Sequence, residues 1–447
     1  YSRKTPASLF YKDSPLWQRL LTIGCVVFLS VAGLGEWKVL NGMLGGLPKA
    51  ITLGVIGLAM LYTLFYPDEK RLREIWKPTL LYMSLMAVLF FWSVVIWVES
   101  FATVSSMIRS CSKLVFQSIA ILTAVALVYL FREKAIELFT ISICITNGAI
   151  MLLCIPEYGV GASIQSLVTC LVTFGDAVGY ARQLEIHDLT FVFGQMILYY
   201  AVFAPRTTRQ EKRKRWLYLL LCCWFFLVGM KRSAIPAVLL FILIGLLLRK
   251  RKVSGRLYPA VGVCCILFFL VFLYCVRYGI ISRLLNSFGI DMMGRDYLWS
   301  MANPYYEFSV TYLGHGFEYV DTIISQWYDA GLINQPFPFH NDILKVFVEM
   351  GFPGFLLWSG IQYVLTPLFW QRYADQQTAL LYMCELGYMT VTYLTDNTAF
   401  YFWSAMALRL VPLAYAMERK KPPEPKVWMP DSRQEMRDRI RILMQEG

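Results

Sequence analysis

The sequence predicts an all-α, polytopic membrane protein of about twelve transmembrane helices, and three observations carry that expectation. Of 447 residues, 57% are hydrophobic and 16% aromatic, with a mean hydropathy of +0.51. Only 16% are charged, where a soluble chain carries about 25%. The charges fall in short bursts between apolar runs of near bilayer-spanning length. A net charge of +12 could suit nucleic acid, but the basic residues flank apolar spans. The expected partner is therefore the anionic headgroups of a lipid bilayer, with no nucleic acid.

The twelve runs are 17–37, 48–66, 78–98, 114–131, 136–155, 189–204, 216–230, 234–248, 257–276, 352–370, 378–394 and 398–417. The first reads as a retained span rather than a cleaved signal peptide. The seventh and eighth are short enough to form one tight hairpin. If the N-terminus is cytoplasmic, the inside segments hold 30 of the 42 basic residues, so both termini are expected in the cytoplasm. Four regions result: nine spans in 1–276, an extracytoplasmic loop at 277–351, three spans in 352–417, and a cytoplasmic basic tail at 418–447. In that tail "KKPPEPK" reads as a linker and "DSRQEMRDRIRILMQ" as a helix along the headgroups. The eleven cysteines are scattered without a CxxC and read as small core residues.

Two outward segments are long, 156–188 and 277–351. The second interleaves arginines, histidines, acids and aromatics, too much side-chain chemistry for a connector. It ends in "FPFHNDILKVFVEMGFPGF". Asn341 or Asp342 can cap a helix that Gly351 ends. His340 then stands at the positive end of that helix, a place that favours neutral imidazole and attracts anions. In "MKRSAIP", Lys231 and Arg232 are adjacent cations on the outward side, where positive-inside bias does not expect them. Arg295, in "MMGRDYLWS", offers a planar fork suited to phosphate, or membership of an ion-pair network with Asp296. His315, between two glycines, reads as a tight turn, and His187 as an interfacial residue. Asp396, in "YLTDNTAFYF", either orients a base or cation or caps span twelve.

There is no DxD, no histidine–cysteine cluster and no Walker sequence, so neither a metal nor a nucleotide cofactor is expected. Taken in order, "KRSA", then "GRDYLW" with "GHGF", then "HNDILKVFVEMGFPG" resemble the O-antigen ligase and O-antigen polymerase superfamily of bacterial membrane glycosyltransferases. The resemblance implies a GT-C-like fold and a donor glycan on undecaprenyl pyrophosphate at the outer face of the cytoplasmic membrane. It implies Arg232 and Arg295 as pyrophosphate ligands and His340 as activator of an acceptor hydroxyl. Lys231, Asn341 and Asp396 are candidate supporting residues. Attack from the back side would invert an α-linked donor. The acceptor is a glycan or a lipid-linked glycan, and a chain-length regulator or flippase is a candidate partner. Polymerisation of repeat units is the preferred reading, ligation to lipid A-core the alternative. A secondary transporter or lipid-linked glycan flippase is the alternative from another class.

Overall fold

A computed structural model describes residues 15–45, 47–100, 103–173, 177–251, 253–289, 292 and 294–419. The chain before Pro15, Asp291 and the tail from 420 onward, with its expected helix, lie outside the described residues. Among those described, every element is helical and none is a strand.

A helix lies at each of the twelve expected places. They are α1 (Leu16–Leu34), α2 (Leu53–Phe65), α3 (Glu69–Ser100), α4 (Val104–Phe131), α5 (Lys134–Tyr158) and α6 (His187–Leu198). The second half has α7 (Arg209–Val228), α8 (Ala234–Leu248), α9 (Leu257–Arg277), α10 (Asp342–Gly360), α11 (Gln376–Thr395) and α12 (Phe402–Arg419). Among the described residues, seven helical stretches are long and apolar enough to cross a membrane. The chain is an all-α polytopic membrane protein.

Local chemistry sets where these helices begin. Thr208 and Glu211 form a reciprocal capping box that starts α7 one turn and more ahead of its apolar run. Asp375 caps α11 by accepting the Thr378 N–H at 2.8 Å. The 32 residues of α3 would span roughly 48 Å at ~1.5 Å each. That exceeds the ~30 Å of a hydrocarbon core, and the excess is the charged first turns holding Glu69, Lys70, Arg71 and Arg73.

Every residue of α12 from Phe402 to Met417 is buried. Shielded by its neighbours, this helix can carry Arg409, whose guanidinium lies 5.9 Å from the Tyr82 ring centre. Tyr82 of α3 donates to the Arg409 carbonyl at 3.2 Å, and Gln117 of α4 donates to the Phe400 carbonyl at 2.6 Å. At the start of α12, the Trp403 and Ser404 N–H groups donate to the Asp188 carboxylate at 2.8 and 2.9 Å. The cap of this helix is thus Asp188 of α6 rather than Asp396. On the other flank α1 crosses α5 closely, with Ser30 donating to the Ser142 carbonyl and Thr146 to the Ser30 carbonyl.

Both long connections contain helices. Val160–Thr173 and Tyr180–Gln183 lie between α5 and α6, and Ile280–Ser287, Arg295–Ala302 and Tyr319–Asp329 lie between α9 and α10. The helix expected before Gly351 is the first half of α10. Gly351 breaks the helical backbone at φ 63°, but the helical run continues beyond the kink instead of ending there. The candidate residues Lys231, His340 and Asp396 meet near the starts of α6, α8, α10 and α12.

Candidate active site

The site is built outward from the start of α10. Asn341 is its N-cap, its side-chain oxygen accepting the Leu344 N–H at 3.0 Å, which satisfies a donor the first helical turn leaves open. Asp342 points elsewhere: its Oδ2 accepts the Ala399 N–H at 2.7 Å and clamps α10 to the α11–α12 turn. On the other side of His340, the Phe339 carbonyl accepts the Trp299 indole N–H at 2.9 Å. Held between these anchors, His340 adopts φ 50°, a conformation that costs an L-residue about 1 kcal/mol or more.

The His340 ring reaches the same turn. Its Nδ1 lies 3.3 Å from Asp396 Oδ1. Burial opposes ionisation of Asp396, but the hydrogen bond with His340 and the charge of Lys231 outweigh it and bring its pKa to about 2. An ionised carboxylate can only accept, so Nδ1 carries the proton between them, and in a neutral ring Nε2 is the acceptor.

Lys231 closes the other side of Asp396. Its Nζ lies 3.8 Å from Asp396 Oδ2, 3.1 Å from Glu185 Oε1 and 3.2 Å from His187 Nε2. It follows Met230, another non-glycine residue at positive φ, 53°. Glu185 also lies 3.4 Å from His187 Nε2. Burial works against its charge too, but His187 and Lys231 win and its pKa falls to about 2. A chain of polar groups therefore runs His340, Asp396, Lys231, Glu185, His187, drawn from four connections of the bundle and the first residue of α6.

The two arginines stand at the margins of this chain. Arg232 is the neighbour of Lys231 and is exposed. Arg295 opens the helix Arg295–Ala302 behind Gly294, which has φ 78°. Its Nε is buried without a hydrogen-bond partner among the described residues. Trp299, the residue bonded to the Phe339 carbonyl, lies one turn further along the same helix face. Each arginine is thus adjacent in sequence, or one helical turn away, to a residue that anchors the His340 environment.

A second layer holds α10 in place. Lys345 Nζ pairs with Glu318 Oε1 at 3.2 Å and Asp321 Oδ2 at 3.0 Å, fastening Tyr319–Asp329 to the first turn of α10. His315 belongs to the scaffold. Its Nε2 lies 2.7 Å from the Tyr305 carbonyl, its ring stacks on Tyr319 at 4.2 Å, and burial pushes its pKa down. That agrees with its reading as a turn residue.

Sequence reasoning did not find Glu185, Lys113, Asp188 or Lys345. The cluster "LEIHDLT" carried a signal: three titratable groups within four residues, just before an apolar run.

Comparison with curated proteins gives no match. Residues 217–359 match the family model described as O-antigen ligase, a stretch that contains Lys231, Arg232, Arg295, His340 and Asn341. That match covers about a third of the chain and supports its resemblance to the superfamily of O-antigen ligases and polymerases.

Proposed function

We propose that this protein transfers a glycan from a lipid-linked pyrophosphate donor to an acceptor hydroxyl, on the outer face of a bacterial cytoplasmic membrane. The observation that carries the reading is the His340–Asp396 contact at 3.3 Å. An acceptor hydroxyl attacking the anomeric carbon must lose its proton. His340 Nε2 takes it, and Asp396 holds the ring in the required tautomer and stabilises the imidazolium that forms. The anomeric C–O bond to phosphate breaks as the new glycosidic bond forms, and the electron pair leaves with the lipid pyrophosphate. Arg295, with a buried donor still unpaired, and Arg232 supply positive charge to that leaving group. Back-side attack inverts the anomeric centre.

Polymerisation of surface-polysaccharide repeat units is the first reading, because no residue of the site points specifically to a lipid A-core acceptor. Ligation to lipid A-core is the second, favoured by the description that the matched family model carries. The orientation that basic-residue bias predicts puts both termini in the cytoplasm and the site outside. The test is to incubate the purified full chain with a synthetic undecaprenyl-pyrophosphate repeat unit. Longer lipid-linked glycans support the polymerase, and transfer only to added lipid A-core the ligase. Unchanged substrate in both reactions, or movement of intact substrate across liposomes, rejects transfer.

A further inference from the structure

The cavity that His340 lines is small, about 60 Å³, room for a water or two and too little for a sugar ring. Lys113, Phe400 and Tyr401 line it and also line a neighbouring cleft of about 460 Å³. That second volume lies within the ~300–1,000 Å³ typical of small-molecule sites. Three lysines converge there: Lys38 and Lys49 of the α1–α2 connection and Lys113 of α4. All three fall on the side that basic-residue bias assigns to the outside, where lysines are least expected.

The acids of the cleft are already engaged. Glu36 pairs with Lys49 at 3.1 Å and Glu185 with Lys231 at 3.1 Å, while Asp188 accepts the N–H groups that begin α12. Among the described residues, Lys38 and Lys113 have no ion-pair partner within 4.0 Å, although Lys113 shares the small cavity with Asp321 and Asp342. Phe116, Phe400 and Tyr401 add aromatic surface that suits the C–H faces of pyranose rings. Ammonium groups beside aromatic faces recognise a saccharide that carries negative charge.

We propose that this cleft is a binding subsite for an anionic saccharide, its charge held by Lys38 and Lys113 and its rings by the aromatic wall. On the glycosyl-transfer reading above, on which this part of the inference rests, the bound saccharide is the acceptor, entering past Tyr401 towards His340. On the same reading the donor lipid pyrophosphate is held by Arg295, whose helix Trp299 ties to the Phe339 carbonyl, and by Arg232. The anion can be a carboxylate on the sugar or the diphosphate at its end.

The test is calorimetric titration of the detergent-purified full chain with oligogalacturonate, inorganic pyrophosphate and neutral maltoheptaose. Wild type should bind at least one anionic probe, more weakly at high salt, and should not bind maltoheptaose. K38Q/K113Q should weaken that binding by about tenfold or more, K38R/K113R should restore it, and R73Q, at the exposed charged start of α3, should leave it unchanged. Binding of oligogalacturonate alone assigns the charge to sugar carboxylates, and of pyrophosphate alone to the diphosphate. Equal binding by wild type and K38Q/K113Q, equal binding of the neutral probe, or no anion binding at all overturns the proposal. If lysine-dependent binding is found but H340A transfers glycan normally, the subsite stands and the catalytic reading fails.

Discussion

Gly314 and Gly351 meet backbone to backbone: a Cβ on either would come within 2.5 Å of the other's backbone nitrogen. The contact explains why the glycine pattern around His315 and the glycine closing the "HNDILKVFVEMG" stretch occur together. The kink at Gly351 opens α10, and the N–H groups of His315 and Gly316 enter it to donate to the Glu349 carbonyl at 3.0 and 2.8 Å. Trp92 seals the junction by donating to the Met350 carbonyl at 2.8 Å. Both glycines have positive φ, 94° and 63°, so an added methyl group meets strain as well as overlap.

Replacing either glycine with alanine should therefore destabilise the protein by about 2 kcal/mol or more. Thermal unfolding of purified G314A and G351A would show the lowered midpoint. Activity should fall with them, because the same α10 start positions His340.

Asp396→Asn keeps the volume of the side chain and removes its charge. His340 then loses the charged acceptor that fixes its tautomer, and turnover should fall by about tenfold to a hundredfold, while the thermal midpoint falls by the stability that the Asp396 charge contributes. Initial rates of glycan transfer by wild type and D396N, measured side by side, check this. An unchanged rate would show that the carboxylate serves only the α11–α12 turn, where it accepts the Asn397 N–H at 2.9 Å.

Lys231 serves two carboxylates at once. Lys231→Met leaves Asp396 and Glu185 without their shared cation and should cost about 2 kcal/mol of stability. Lys231→Arg should recover part of it. Unfolding midpoints of K231M and K231R report the difference, and adding Glu185→Gln to K231M should recover stability by removing one of the uncompensated charges.

The acid response follows from the same cluster. Asp396 and Glu185 both have folded pKa values lowered to about 2, below the ~4 of an unfolded carboxylate. Their contribution to stability is thus complete above about pH 4 and is lost as pH falls through about 2. Unfolding midpoints should be insensitive to these two groups between pH 7 and 5 and should drop on further acidification. In D396N/E185Q that acid drop should be smaller. An acid limb in the transfer rate above pH 4 accordingly belongs to some other group than Asp396.

The helices could be read from the sequence because each apolar run had to reach across a bilayer, and spans such as α9 begin and end within a residue of the expected limits. The N-cap role of Asn341 was legible for a similar local reason: a short polar side chain stands just before an apolar helical run. What could not be read was long-range pairing. Asp188 caps α12 across 215 residues, and nothing in "LEIHDLT" says which helix start it meets. The same holds for Lys231, whose two carboxylate partners lie in different connections, and for Lys113, which looks like an ordinary interfacial lysine until α4 is placed beside Phe400 and Tyr401. The kink at Gly351 was half legible. The glycine announced a break, but only the packing of the 312–316 backbone into it explains why the helix resumes.

The central claim is that the His340 imidazole removes the acceptor's proton. The most direct measurement is single-turnover transfer by purified H340A and wild type from the same synthetic lipid-pyrophosphate donor, with donor binding measured in parallel. We expect H340A to bind donor as wild type does and to transfer at least about a hundredfold more slowly. Near-normal transfer by a folded H340A would contradict the account.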